Sequence, residues 1–337
     1  MPMGTDRYSI EVERPAGQAD VYVLRDWRTG SEARIIPSVG NNFFSFRAGL
    51  GEGEPVEVML TPPNADGLRQ FPIGFGTPVL FPFPDLVRDA TYTFEGKAYR
   101  LETHHPRGHA SHAFVYNRPW HVTGTATANG ATLVSAFRWE DHSDVHSQYP
   151  FPFVLTLAYT LAGSTVRLRA HLRNVGRERM PFGFGIHPYF RLPIAENGKR
   201  EDCMVCIPTS SKWEVDEELL PTGRVGPAPA EKDYSCLRPL GTQALDDVYT
   251  KPKLGNGWSE SVYVDPAAGV EVAMRADSGF REIVIYAPPD RPTICLEPYT
   301  HTTDAINLQA KGIDAGLQIL EPAAEWTGEV EIAVRRR

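Results

Sequence analysis

At 337 residues the chain is long enough to bury a sizeable core, and 42% hydrophobic against 23% charged residues is ordinary globular usage. A net charge of −8, from 42 acidic and 34 basic residues, argues against the basic surface that a nucleic-acid binder needs. No apolar run of about eighteen residues is present to span a bilayer as a helix, so no membrane partner is expected.

Short apolar runs punctuated by 29 glycines and 29 prolines read as strands and turns. The start, MPMGTDRYSIEVERP, lacks an apolar signal core, and four cysteines fit a reducing compartment, so the cytoplasm is the expected location. In chain order the predicted strands cover 32–39, 43–49, 55–60 and 91–102, the last with a glycine-centred hairpin signal in TFEGKAY. They continue through 121–128, 131–140, 153–161 and 164–175. Within 164–175, Val166, Leu168, Ala170 and Leu172 alternate with Arg167, Arg169 and His171, the pattern of a half-buried antiparallel strand. Residues 195–260 are the least regular and read as loops, with at most one helical turn at 214–220. Further strands are predicted at 261–265, 269–276, 282–288 and 329–335. The expected fold is all-β: a large antiparallel β-sandwich spanning 1–337 as one domain.

Two apolar runs end on an ionisable group directly before a proline. In FGFGIHPYFRLP (182–193), Phe182, Phe184 and Ile186 share one face at period two, and Gly183, Gly185 and His187 share the other. Glycines inside a strand mark a close approach of a ligand or another backbone. In TICLEPYTHTTDAINL (293–308), Glu297 ends the TICL run, where a carboxylate is costly to desolvate unless paired or facing a wet pocket. Taken singly, His187 also reads as a core histidine and Glu297 as a strand-end glutamate in water or a salt bridge. One base and one acid placed alike point to a site. SHAFVYNRPWHV (111–122) adds His112, Asn117 and Trp120, polar donors beside an aromatic face of the kind that binds sugars. ALDDVYT (244–250) places Asp246 and Asp247 at the entry to an apolar segment, where a turn or cap pair is the alternative.

Metal signals are incomplete. Cys203 and Cys206 form a CxxC without the second pair of a zinc ribbon. His104, His105, His109 and His112 cluster, and His142 and His146 lie four apart, as on one face of a helix; their flanks read as loops and no HExxH occurs. No metal is expected.

Together these stretches resemble the aldose 1-epimerase (galactose mutarotase) family. GTPVLFPFPDLVRDATYTFEGKAYRL (76–101) is similar to its early segment, SHAFVYNRPW carries its first histidine, GIHPYF its second, LDDVY its aspartate and LEPYT its glutamate. The resemblance implies a β-supersandwich and an isomerase that interconverts the α and β anomers of a free sugar without cofactor or metal. It implies Glu297 as the base on the anomeric hydroxyl, His187 as the acid on the ring oxygen, His112 as a donor near that oxygen and Asp246 as a holder of hydroxyls. Two positions depart from the family pattern. Leu86 stands where many members carry an arginine, with Arg88 two residues on, and His112-Ala113-Phe114 replaces HGF. Arg88 is therefore the expected substitute contact, set about 6 to 7 Å further along the same strand face and suited to a larger or differently substituted sugar. A non-catalytic carbohydrate-binding protein on the same fold is the alternative.

Overall fold

In the computed structural model, which describes residues 6–14, 19–103 and 105–337, three large sheets share the chain. A five-stranded sheet takes Tyr8–Glu13, Val21–Asp26, Ser31–Ile36, Asn42–Ala48 and Val56–Glu57 in sequence order. The nine-stranded sheet is centred on Phe153–Ala162, Thr165–Asn174, Glu325–Arg336 and Val270–Asp277. The eight-stranded sheet is ordered Pro221–Pro227, Ser211–Val215, Leu245–Thr250, Glu282–Ala287, Thr293–Tyr299, Gly185–Ile186 and Val79–Leu80, with Tyr189–Arg191 also pairing Thr293–Tyr299. Every strand pair within these sheets is antiparallel.

Alternation does what the sequence pattern asks. Along Thr165–Asn174 the side chains of Val166, Leu168, Ala170 and Leu172 are buried, and Arg167 and Arg169 are exposed. A single continuous core receives Leu24 and Phe46 from the first sheet, Leu157 and Leu172 from the second, and Ile285 and Leu296 from the third. Aromatic rings join the layers: Phe81 lies 4.6 Å from Phe153, and Phe182 and Phe184 each lie 5.6 Å from Trp326. Thr91–Phe94 and Lys97–Arg100 form the predicted hairpin, turned by Glu95 and Gly96 at φ 48° and 80° as a two-residue turn of the primed type requires.

Two expectations need correction. Residues 195–260 are not an excursion of loops, because they supply Met204–Cys206, Ser211–Val215, Pro221–Pro227, Arg238–Pro239 and Leu245–Thr250. Met204–Cys206 and Arg238–Pro239 are only three and two residues long, and Pro221–Pro227 buries Pro221 alone, so period two does not show there. The segment 214–220 turns a hairpin and makes no helical turn: the Asp216 carboxylate accepts from the Glu218 and Leu220 amides at 2.9 and 3.1 Å, and Leu219 takes φ 65°. His142 and His146 flank a 3-10 turn at Ser143–Val145, where their rings stack on Phe137 at 4.0 Å and on Trp139 at 3.5 Å. Among the described residues no helix is long and apolar enough to cross a membrane.

Candidate active site

The register of the eight-stranded sheet builds the floor of a cleft. Glu297 pairs with Val284 and Cys295 with Tyr286; one strand further, Val248 pairs with Val284 and Asp246 with Tyr286. Because side chains alternate, these six residues and Tyr299 share one face of the sheet. All except Cys295 line one cavity of about 270 Å³. The opposite face, with Ile283, Ile285, Ile294 and Leu296, is core.

His187 reaches the same cavity from the neighbouring edge. Its amide donates to the Pro78 carbonyl at 3.0 Å, and the following strand Tyr189–Arg191 pairs with Thr293–Tyr299. The glycines before it serve a close approach, but not that of a ligand: a Cβ on Gly183 would fall 1.9 Å from the His301 ring, and one on Gly185 2.4 Å from the Tyr299 ring. Tyr299 lines the cavity and Gly185 is its partner in the sheet, so the bare face of the glycine run lets the strand before His187 lie against the one that carries Glu297. His187 Nε2 lies 3.3 Å from Glu297 Oε1. The Tyr189 ring stacks on that of His187 at 4.3 Å with its hydroxyl 3.3 Å from Nε2, and the Tyr299 hydroxyl donates to Glu297 Oε2. The sequence reading missed both tyrosines, although each lies two residues from a singled-out group and period two would have found it.

Glu297 Oε1 and His187 Nδ1 are buried without a hydrogen-bond partner in the protein, so the 3.3 Å approach of Nε2 to Oε1 is a close contact and not an aligned hydrogen bond. Burial raises the Glu297 carboxyl well above its ordinary range, the charges of Asp85 and Asp246 push the same way, and the Tyr299 hydroxyl opposes them. Burial also pushes the His187 imidazole well below its ordinary value, helped by His112 and Arg291. Both effects favour the proton on the carboxyl. Neutral acid with neutral imidazole holds as many protons as carboxylate with imidazolium, so the pair shares one proton that a polar ligand can redistribute.

His112 sits with its ring 5.6 Å from that of His187 and is pushed down to about 4 by burial and by His105, so it is neutral at physiological pH. Its amide donates to the Asp85 carbonyl at 2.7 Å. Asp85 lines the cavity, accepts from the Thr303 hydroxyl, and is raised to about 6 by burial. Asp246 is raised to about 7 by the surrounding protein and by the charges of Asp85 and Asp247, and its exposed side chain lets solvent screen much of that push. His187, Cys295 and Glu297 place one donor atom each within 4.8 Å of one another, a set that suits a divalent ion such as zinc but would engage the atoms of the proton-sharing pair.

Three expected contacts lie elsewhere. Arg88 does not continue the Leu86–Val87 strand: it opens a 3-10 turn in which Asp89 and Ala90 have positive φ, which ends the period-two logic. Its guanidinium pairs with Asp216 at 2.6 Å and Glu218 at 2.9 Å, holding the turn that carries Leu219 at the cleft. Trp120 is buried against Phe137 with its indole N–H on the Val115 carbonyl, because the 3-10 turn Val115–Asn117 folds it toward the core. Asn117 is exposed and accepts from Arg118 at 2.9 Å. Of the histidine cluster, His105 and His112 line the cavity and His109 is buried behind His105, while His104 lies outside the described residues. Three further wall residues, Phe71, Ile73 and Arg291, come from loops whose sequence carries no periodic signal.

The family model for aldose 1-epimerase matches residues 24–333. The chain belongs to the aldose 1-epimerase family. Its structure is similar to that of a galactose mutarotase-like protein from Clostridium acetobutylicum, with a TM-score of 0.89 and 22% identity over 99% of this chain and 100% of that one. It is also similar to galactose 1-epimerase from Lactobacillus acidophilus NCFM, with a TM-score of 0.75 and 14% identity over 98% of each chain. In sequence, the protein YihR of Escherichia coli K12 is 23% identical over 248 residues, 73% of this chain and 75% of its own length.

For a member of the aldose 1-epimerase family, the two departures now have a place. Leu86 lines the cavity, so the arginine position of many members presents an apolar side chain here. Ala113, in place of the glycine of HGF, takes φ 53°, a left-handed conformation in which a Cβ is unfavourable.

Proposed function

We propose that this chain is an aldose 1-epimerase that interconverts sugar anomers by acid–base ring opening and closure. The observation that carries the proposal is the approach of His187 Nε2 to within 3.3 Å of Glu297 Oε1 on the floor of a cavity of about 270 Å³. That volume is near the lower end of ligand pockets, roughly 300 Å³, and suits one sugar ring. Glu297 takes the proton of the anomeric hydroxyl while His187 gives one to the ring oxygen, and the C1–O5 bond breaks to the open aldehyde. Rotation about C1–C2 presents the other face, and the same two groups return their protons as the ring closes. Only protons move, so no cofactor is consumed. Hydroxyl donors from the sugar favour the carboxylate form of Glu297 and thereby send the shared proton to His187. Asp246 and His112 hold the sugar. Tyr189 and Tyr299 orient the pair, and desolvation in the cleft strengthens both transfers.

Polarimetry on freshly dissolved anomers of an aldose panel, with and without protein, tests the proposal. Acceleration over the spontaneous rate supports catalysis; binding of a sugar without any acceleration supports the non-catalytic alternative.

A further inference from the structure

Arg291 is the cation of the cleft that the proposed chemistry leaves unused. It lines the cavity beside Tyr189, Tyr286 and Phe71. Its guanidinium lies 5.2 Å from the centre of the Tyr189 ring and 5.7 and 5.8 Å from those of Phe71 and Phe75, and one N–H is spent on the Gly74 carbonyl at 2.5 Å. No carboxylate among the described residues pairs with it, whereas Arg88 holds two. A guanidinium carries five N–H donors in a planar fork that matches a carboxylate. Held by aromatic faces and one carbonyl, this one keeps donors for a ligand.

Its position selects which part of a sugar it meets. Its guanidinium lies over the Tyr189 ring, and that ring stacks on His187 at 4.3 Å, so Arg291 stands behind the His187 member of the pair. Resting on the mutarotase chemistry proposed above, His187 faces the ring oxygen and Glu297 the anomeric hydroxyl. The ring oxygen is bonded to C5, which carries C6, so a substituent at C6 projects past His187 toward Arg291. From this geometry we infer that Arg291 is a specificity residue that receives a C6 carboxylate, making the preferred substrate an aldose of the uronic acid class. A single fork facing a cavity that also holds Asp85 and Asp246 suits a planar monoanion better than a phosphate dianion. A bound carboxylate also offsets the positive charge that disfavours protonation of His187, so the substrate readies its own acid.

The test is anomer exchange measured by exchange NMR at neutral pH on glucuronate, galacturonate, glucose, galactose and glucose 6-phosphate, with wild type, Arg291→Met and Arg291→Lys. Methionine keeps an apolar stem against the aromatic rings, and lysine keeps the charge without the fork. The expected result is a kcat/KM for a uronate at least about tenfold above that for the matching neutral hexose. Arg291→Met should cut that ratio at least about tenfold, mainly through KM, with Arg291→Lys between. Equal or better use of neutral hexoses by wild type, preference for glucose 6-phosphate, or an unchanged ratio in Arg291→Met overturns the inference. If Arg291→Met fails to fold, as its thermal melt reveals, the wild-type panel and the lysine variant decide. If wild type accelerates no sugar, the mutarotase proposal fails by itself, and calorimetric titration decides the binding question. Glucuronate bound more tightly than glucose, with the difference lost in Arg291→Met, supports the carboxylate site, and equal or absent binding overturns it.

Discussion

Replacing Glu297 by glutamine separates the catalytic from the structural account of the cleft. The two side chains have nearly the same shape, and the glutamine carbonyl still accepts the Tyr299 hydroxyl that now donates to Glu297 Oε2. Glu297 is buried and its carboxyl is raised, so the folded protein gains nothing from its charge, and a neutral isostere removes a desolvation cost. Stability is therefore expected to change by no more than about 1 kcal/mol, with the variant holding its own as pH rises, because a raised carboxyl loses stability when it ionises. Activity is a different matter. An amide cannot take the anomeric proton, and a general base contributes roughly 10²- to 10⁴-fold. The assay is exchange NMR or polarimetry on the best wild-type sugar near neutral pH, corrected for spontaneous mutarotation, with thermal melts at pH 6 and 8. Turnover above about a tenth of wild type, or a melt lowered by many degrees, would refute the reasoning and leave Glu297 as a structural carboxylate.

The other predictions probe the walls and the supporting structure. His187→Asn should lose turnover by roughly 10²-fold or more with a smaller effect on sugar affinity, read as a kcat against KM split; affinity lost together with thermal stability would mark a core histidine instead. Arg88→Ala should raise KM a few-fold with kcat nearly unchanged, because the part-exposed pairs with Asp216 and Glu218 steady the Leu219 turn and contribute only about 0 to 1 kcal/mol to stability; a collapse of kcat would mean that Arg88 reaches the reacting atoms. Ala113→Gly should stabilise the fold slightly, by up to about 1 kcal/mol, seen as a small rise in the unfolding midpoint, since relief of the left-handed φ of 53° outweighs the added chain entropy of glycine; a marked loss of stability would show that the methyl packs usefully. Glu282, fully buried and raised to about 7 by desolvation against the Trp213 N–H, stabilises when protonated, so its contribution is complete below the unfolded value near 4.5 and is lost as pH rises through about 7. Glu282→Gln should flatten the fall in melting temperature between pH 6 and 8, and an identical pH profile in variant and wild type would count against that assignment.

Period two made the strands readable from sequence, and it also singled out His187 and Glu297, which the fold brings together. Val166 to Leu172 alternate because one face of a strand meets core and the other water, and His187 and Glu297 stand out because each ends such a run before a proline. The family resemblance then assigned His112 and Asp246, and the cleft contains both. Local pattern failed where the chain bends. Arg88 leaves the strand path through positive φ at Asp89 and Ala90, Trp120 is turned inward by a 3-10 turn, and the Asp216 carboxylate makes a hairpin where a helical turn was expected. What only the tertiary structure decided is which loops meet: Arg291 and Phe71, 220 positions apart, come together at one wall because antiparallel pairing sets strand ends side by side whatever their separation in the chain. The same pairing joins His187 to Glu297, and the burial it imposes drives the carboxyl and the imidazole toward one shared proton, a property that neither residue has in the sequence alone.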